Sequence, residues 1–410
     1  MKRALVLCGG GSLGSYEVGA WKYLREKGMR FDIVVGTSIG AINGAMVALD
    51  EYDEALRLWE EVTIDNVISE GFNVHDTLMA NVKSLTREKI VRLAGTYIKN
   101  KGADISPFKE LVKRTIDPHK IKQSQVKLGI VTTDYQKRKE VDVLLNDEPV
   151  DLILPWLHAS SACWPIFPIE KVKGRKYIDG GYFNNLPIDY ALKLGADEIV
   201  AVLLHSIPKM PQHPELMDCS FVKTIRPSRD TGTILFFESR VLKNNITLGY
   251  LDAMKAFDEA IGFSYCFEKN DKYQEIADKT SLDFARKNTY DMVIVKNAMF
   301  TKDMPKPSES VSFFIRGLEL LGAAFEITPY RRWDAFEFAS EIEKQIKKAS
   351  NEKPNPKEKA SRIKKKTRKE LVLALYSDMQ NGKKTDWIRK HLTDAPETLY
   401  LEVLMRNLFF

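Results

Sequence analysis

Two glycine loops, each set between an apolar run and a helix-like run, constrain this 410-residue chain more than any other feature. Arg3 to Cys8 reads as a buried strand. Gly9-Gly10-Gly11-Ser12-Leu13-Gly14 then turns into a helix that carries Val18, Trp21 and Leu24 at near-helical spacing and stops at Gly28. Phe31 to Val35 reads as a second strand, after which Gly36 to Gly40 turns sharply into an apolar helix running to about Leu49. A chain that repeats strand, loop and helix lays its strands in parallel and needs helices to cover the sheet. The opening Met1-Lys2-Arg3 with the run to Cys8 is too short for a leader and ends in glycines rather than a cleavage site, so a strand is expected there.

The alternation continues. Ser106-Pro107 is an N-cap and first-turn proline for a helix to about Ile116, and Val126 to Thr132 and Glu140 to Leu145 have strand character. Lys173-Gly174-Arg175 suggests a turn, Leu186 to Leu194 a helix, and Glu198 to His205 a strand whose Ile199 to Leu204 is wholly apolar, as in a strand buried on both faces. The fold class expected is α/β: a mostly parallel sheet flanked by helices on both sides. From about Thr231 the pattern turns helical, over Ile234 to Phe257, Ser310 to Ala324, Asp334 to Ala349 and two more stretches after Ser361. A first α/β domain over 1–265 and a mainly helical accessory region over 266–410 are expected, with Asn351 to Ala360 as an exposed linker.

Hydrophobic residues make up 44% and charged residues 29% of the chain, the balance of an ordinary globular protein. Even the apolar stretch Val311 to Tyr330 carries Arg316, Glu319 and Glu326, so any membrane contact is expected to be peripheral. Cys8, Cys163, Cys219 and Cys266 lack metal-ligand spacing and suggest neither zinc nor disulfides, which fits a cytoplasmic protein. The net charge of +6 is concentrated between Lys344 and Lys369, where twelve Lys or Arg face only Glu352 and Glu358. Lys347, Lys348, Lys353, Lys357, Lys364, Lys365, Lys366, Arg368 and Lys369 could dock on an anionic leaflet or form a solvated face; no nucleic-acid motif accompanies them. Two apolar stripes, Ala335, Phe338, Ile342, Ile346 and Leu401, Leu404, Met405, Leu408, are expected to pack on the main domain or a second subunit.

Three motifs carry chemistry. Gly36-Thr37-Ser38-Ile39-Gly40 has the strand-before, helix-after context of a nucleophile elbow, with glycines that let the serine hydroxyl project; a plain serine N-cap has the same look. Gly9, Gly10 and Gly11 can turn backbone N–H groups onto one anion. Gly9, Gly11 and Gly14 also satisfy the dinucleotide-binding spacing, but the acid that reading needs, Asp32, starts the second strand rather than ending it. Asp179-Gly180-Gly181, leading to Asn184, Asn185 and Pro187, can bring a carboxylate to a nucleophile or simply make a hairpin turn.

In this order and spacing the three motifs resemble those of the patatin-like phospholipases, over roughly residues 1 to 260. The resemblance implies a three-layer α/β fold, Ser38 as acylated nucleophile, Asp179 as the base of a Ser-Asp dyad, and Gly9, Gly10 and Gly11 as oxyanion donors, with Gly14, Gly36, Gly40, Gly180 and Gly181 supporting the loops. It implies a phospholipid or other lipid ester as substrate and requires neither cofactor nor metal. Ala159 to Pro168 resembles the family's segment before the aspartate. Many members carry Arg or Lys where Leu13 stands, a charge that Lys2, Arg3 or Lys22 could supply instead. Of His75, His119, His158, His205, His213 and His391, only His205 is placed where a third catalytic member would sit. A broad esterase or thioesterase, and a membrane-binding module with weak catalysis, are the alternatives. Oligomeric state is left open.

Overall fold

The computed structural model describes residues 1–69, 102–204, 212–287, 292–300, 310–351, 367–391 and 395–410. His75, His205, residues 352–360 of the expected linker, and Lys364, Lys365 and Lys366 lie outside the described residues. The chain forms two compact units, Met1–Ala256 and Phe257–Phe410.

The strands of the first unit are β1 (Arg3–Leu7), β2 (Ile33–Thr37), β3 (Lys127–Asp134), β4 (Lys139–Leu144), β5 (Glu170–Val172), β6 (Arg175–Asp179), β7 (Glu198–Val202) and β8 (Val222–Ile225). Its helices are α1 (Ser15–Glu26), α2 (Ile39–Ala48), α3 (Tyr52–Glu61), α4 (Ser106–Thr115), α5 (Pro118–Gln123), α6 (Val150–Ser160), α7 (Ile188–Lys193) and α8 (Ser239–Ala256). The strands form one sheet in the order β5-β6-β3-β2-β1-β7-β8, with β4 also paired to β3. β3, β2, β1, β7 and β8 run parallel, whereas β4 and β6 are antiparallel to β3. The central strands are buried almost throughout, which explains their unbroken apolar sequences.

Alternation along β3 shows that helices cover both faces. Leu128 reaches the α2 helix at Gly44, and its neighbour Gly129 lies against Tyr190 of α7. Successive strand residues point to opposite faces, so α2 and α7 form two outer layers around the sheet.

The register of β3 also determines what meets what at the sheet's C-terminal side. Val131 pairs with Thr37 of β2, and the next residue, Thr132, pairs with Asp179 of β6. Both β3 residues pair with β4 on their other side, so β2 and β6 lie end to end along one edge of β3. The residue after Thr37 and the last residue of β6 are thereby brought face to face.

Most expected elements lie within a few residues of those observed. The helix expected from Ile234 instead begins at Ser239, and residues 231–238 form an irregular strap. The reason is visible in the carbonyls of Thr231, Thr233 and Ile234, which accept the longer-range hydrogen bonds described below. Val150–Ser160 is a helix despite Pro155 inside it, and Glu170–Val172 closes a hairpin through Lys173 and Gly174, both at positive φ.

The second unit adds to its helices a small sheet, Ala260–Ile261, Cys266–Glu268 and Arg332–Trp333, which the helical pattern of the sequence concealed. Its core gathers Phe267, Phe314, Phe338 and Tyr400. Glu319 is fully buried there, accepts the N–H groups of Phe263, Ser264 and Tyr265 at 2.7, 2.8 and 3.0 Å, and pairs with Arg316 at 2.9 Å. Both apolar stripes pack inside this unit, contrary to the expectation of a main-domain or subunit contact: Phe338 lies against Gly322, and Leu404 against Gly317. Among the described residues no helix is long and apolar enough to cross a membrane.

Candidate active site

Ser38 sits between β2 and α2 with φ 56° and ψ −124°, a conformation that costs an L-residue about 1–3 kcal/mol. Gly36 makes the bend feasible: a Cβ there would stand 2.2 Å from the Gly40 carbonyl oxygen. The Ser38 N–H donates to Ser160 Oγ at 2.9 Å, and that hydroxyl donates to the Val131 carbonyl at 2.7 Å. The strained turn is therefore braced by the end of α6. With its hydroxyl projected off the backbone, Ser38 Oγ donates to Asp179 Oδ2 at 2.6 Å.

Asp179 closes β6, with its N–H on the Ala162 carbonyl at 2.9 Å and its own carbonyl accepting from Thr133 Oγ1 at 2.9 Å. Its second carboxylate oxygen accepts the Gly181 N–H at 2.7 Å. Burial raises the carboxyl from 3.8 to about 6, against the opposing pull of the hydrogen bonds from Ser38 and Gly181. At neutral pH it is still ionised, and it is far more basic than an exposed aspartate. Among the described residues no histidine hydrogen-bonds to Ser38 or Asp179, and burial pushes His158 down to about 4, which leaves that ring neutral.

The glycine loop lies beside this pair. Gly9 donates its N–H to the Asn185 carbonyl at 3.2 Å, so of the three expected donors it is the one already engaged. Gly10 and Gly11 have no partner for their N–H groups among the described residues, and both line the same cavity as Ser38 and Asp179. Gly14 ends the short turn Gly11–Gly14 and accepts from Asn43 Nδ2 at 3.0 Å. Gly40 and Gly180 lie inside the elbow helix and the turn after Asp179.

Asn184 and Asn185 stitch the three motifs together. The Asn184 carbonyl accepts from Thr37 Oγ1 at 2.9 Å, next to the nucleophile, while its amide donates to Glu140 and Asp189 at 2.9 and 2.8 Å. The amide of Asn185 donates to the Gly9 carbonyl at 3.0 Å. The sequence offered these residues only as companions of the Asp-Gly-Gly turn; Ser160 carried no signal beyond its place in the small-residue segment.

Leu13 is buried, so a cationic side chain at that position would have to leave the core. The proposed substitutes do not supply the charge to the site. Arg3 pairs with Glu198 at 2.8 Å at the opposite end of β1, where Lys2 also lies, and Lys22 sits over the Tyr250 ring.

Ser38 and Asp179 form part of the wall of a cavity of 1470 Å³ that is otherwise mostly apolar, including Ile42, Trp59, Phe108, Phe167, Leu235 and Phe236. Cys163 also lines it, but burial pushes its thiol up to about 12, so it carries little thiolate at neutral pH.

Residues 5–192 match the family model described as patatin-like phospholipase. That stretch, a little under half of the chain, resembles a patatin-like phospholipase domain. The chain is 27% identical over 201 residues to rat patatin-like phospholipase domain-containing protein 7, a match spanning 48% of this chain and 13% of the relative. It is 27% identical over 203 residues to the lysophospholipase nte1 of Aspergillus terreus, spanning 50% of this chain and 12% of that one. Only about an eighth of each relative's length is thus represented here. The crystal structure of VipD from Legionella pneumophila aligns with a TM-score of 0.41 at 12% identity, covering 100% of this chain and 90% of that one.

Proposed function

We propose that this chain hydrolyses the fatty-acyl esters of phospholipids or lysophospholipids through an acyl-serine intermediate. The observation that carries the reading is the 2.6 Å hydrogen bond from Ser38 to a buried Asp179 in the wall of an apolar cavity. The patatin-like domain and the lysophospholipase name of one relative support the choice of lipid esters.

In the proposed reaction Asp179 Oδ2 takes the Ser38 proton as Oγ attacks the ester carbonyl. The oxyanion is held by the N–H groups of Gly10 and Gly11, donors that typically contribute about 3–4 kcal/mol each to such a transition state. The N-terminal end of α2, which starts at Ile39, adds its positive dipole. Collapse breaks the ester C–O bond, and the proton on Asp179 passes to the leaving alcohol. Water then attacks the acyl-serine, gives its proton to Asp179, and the proton returns to Ser38 Oγ as the fatty acid leaves. The base needs no histidine because burial brings the carboxylate closer to the basicity the step requires.

Product analysis by mass spectrometry after incubation with mixed phospholipid and lysophospholipid vesicles tests this reading. Fatty acid release by wild type, abolished in Ser38→Ala and in Asp179→Asn, is the expected result. Full activity in Ser38→Ala would overturn it.

A further inference from the structure

The strap at residues 231–238 is an irregular part of the cavity wall, and it is tied to the glycine loop at Ser12. The Ser12 N–H donates to the Ile234 carbonyl at 2.9 Å, and Ser12 Oγ donates to the Thr233 carbonyl at 2.8 Å. Gly11 lies against the same strap, at φ 56°, where a Cβ would stand 2.0 Å from the Ile234 carbonyl oxygen. At one end the strap is anchored, since the Thr231 carbonyl accepts from the buried Asn245 amide at 3.0 Å. At the other it runs into α8. Between these points Ile234, Leu235, Phe236 and Phe237 are half-buried and face the cavity.

We propose that Ser12 is a positioning residue through which an acyl chain in the cavity sets the alignment of the Gly10 and Gly11 N–H donors. The inference rests on acyl transfer at Ser38. A chain long enough to pack against Ile234 to Phe237 immobilises the strap. The strap's Thr233 and Ile234 carbonyls hold Ser12, and Ser12 directly follows the two donors. Binding energy from the unreactive tail is thereby expressed at the reacting carbonyl, the condition for it to raise kcat rather than only lower KM. A short acyl group offers little surface for Ile234 to Phe237 to pack against and leaves the donors less fixed.

Steady-state kinetics on p-nitrophenyl acetate, hexanoate and decanoate test the coupling with the full chain. Wild-type kcat is expected to rise with chain length. Ser12→Ala is expected to lose about tenfold in kcat on decanoate, with KM changed by no more than about twofold and acetate turnover nearly retained. Ser12→Thr keeps the hydroxyl and should recover most of the loss. Phe237→Ala, which alters the wall without touching Ser12, should flatten the chain-length dependence. An equal loss on all three esters, or none, overturns the coupling. Hydrogen exchange supplies a readout independent of turnover: saturating dodecanoate, but not acetate, should slow exchange in the peptide spanning residues 9–14, and Ser12→Ala, which removes the hydroxyl bond to Thr233 but keeps the backbone bond to Ile234, should weaken that protection. No protection in wild type would also overturn it. Wild-type levels of turnover in Ser38→Ala would instead refute the acyl-serine mechanism, whatever the exchange result.

Discussion

Replacing Asp179 with asparagine should abolish turnover and yet make the protein more stable at neutral pH, by an amount that depends on pH in a defined way. The carboxyl is raised from 3.8 to about 6 because burial removes water from the ionised form. The folded state therefore holds this proton more tightly than the unfolded chain. The stabilisation from the protonated form is fully present below pH 3.8 and is lost as pH rises through about 6. The loss amounts to about 3 kcal/mol for a shift of this size. Asparagine is isosteric and never ionises, so it escapes the loss. The difference in stability, variant minus wild type, should be near zero at pH 4, grow between pH 4 and 6, and level off above pH 7.

Thermal unfolding of both proteins from pH 4 to 8 measures that difference. For a unit of this size, about 3 kcal/mol corresponds to roughly 5–10 °C in the unfolding midpoint. Other buried acids titrate too, since burial also raises Glu17 well above its ordinary value and Glu140 to about 7. They are present in both proteins and cancel in the comparison. A difference that is flat across pH 4 to 8, or that favours wild type above pH 6, would refute the account of Asp179 as a destabilised buried carboxylate.

Three further outcomes are expected. The value of kcat/KM should rise with pH to a plateau, with its midpoint near the raised Asp179 value of about 6; a midpoint near 4 would mean that the base is solvated in the working enzyme. Ser160→Ala removes the acceptor that braces the Ser38 N–H, which should cost about 1–3 kcal/mol of stability and lower kcat more than it changes KM, as read by thermal unfolding and ester kinetics together. Gly36→Ala would place a Cβ 2.2 Å from the Gly40 carbonyl oxygen, so both backbones must move, and a loss of about 3 kcal/mol or more in denaturant unfolding is expected.

The parts of the site that are local in the chain were legible, and those made by distant partners were not. Glycines at 9–11, 36 and 40 announce tight turns because they let neighbouring chain approach where a side chain would collide, and an unbroken apolar run such as Ile199 to Leu204 has few uses other than a doubly covered strand. Nothing in the sequence shows that Ser160 accepts from Ser38 across 122 positions, or that Asn185 bonds to Gly9 across 176. Those contacts exist because the sheet register sets the chain segments side by side. The apolar run Ile234 to Phe237 was expected to be helical because a run of this length has the same periodicity as the start of a buried helix. Its carbonyls hold Ser12 instead, 222 residues away from Ile234 in the chain.

The same register explains how the proposed dyad can function without a third member. Because β2 and β6 end on adjacent residues of β3, Thr37 opposite Val131 and Asp179 opposite Thr132, the distance between nucleophile and base is fixed by sheet pairing rather than by flexible side chains. A histidine relay orients a mobile ring toward its serine. Here the carboxylate is oriented by Gly181, and the serine by the braced turn at Ser160. What such a pair lacks in basicity is supplied by burial, and the cost appears as the pH-dependent instability that Asp179→Asn should relieve. Strain at Ser38 and an ionised, desolvated carboxylate are then two expressions of one arrangement, in which the sheet's stability holds two groups in states neither would adopt alone.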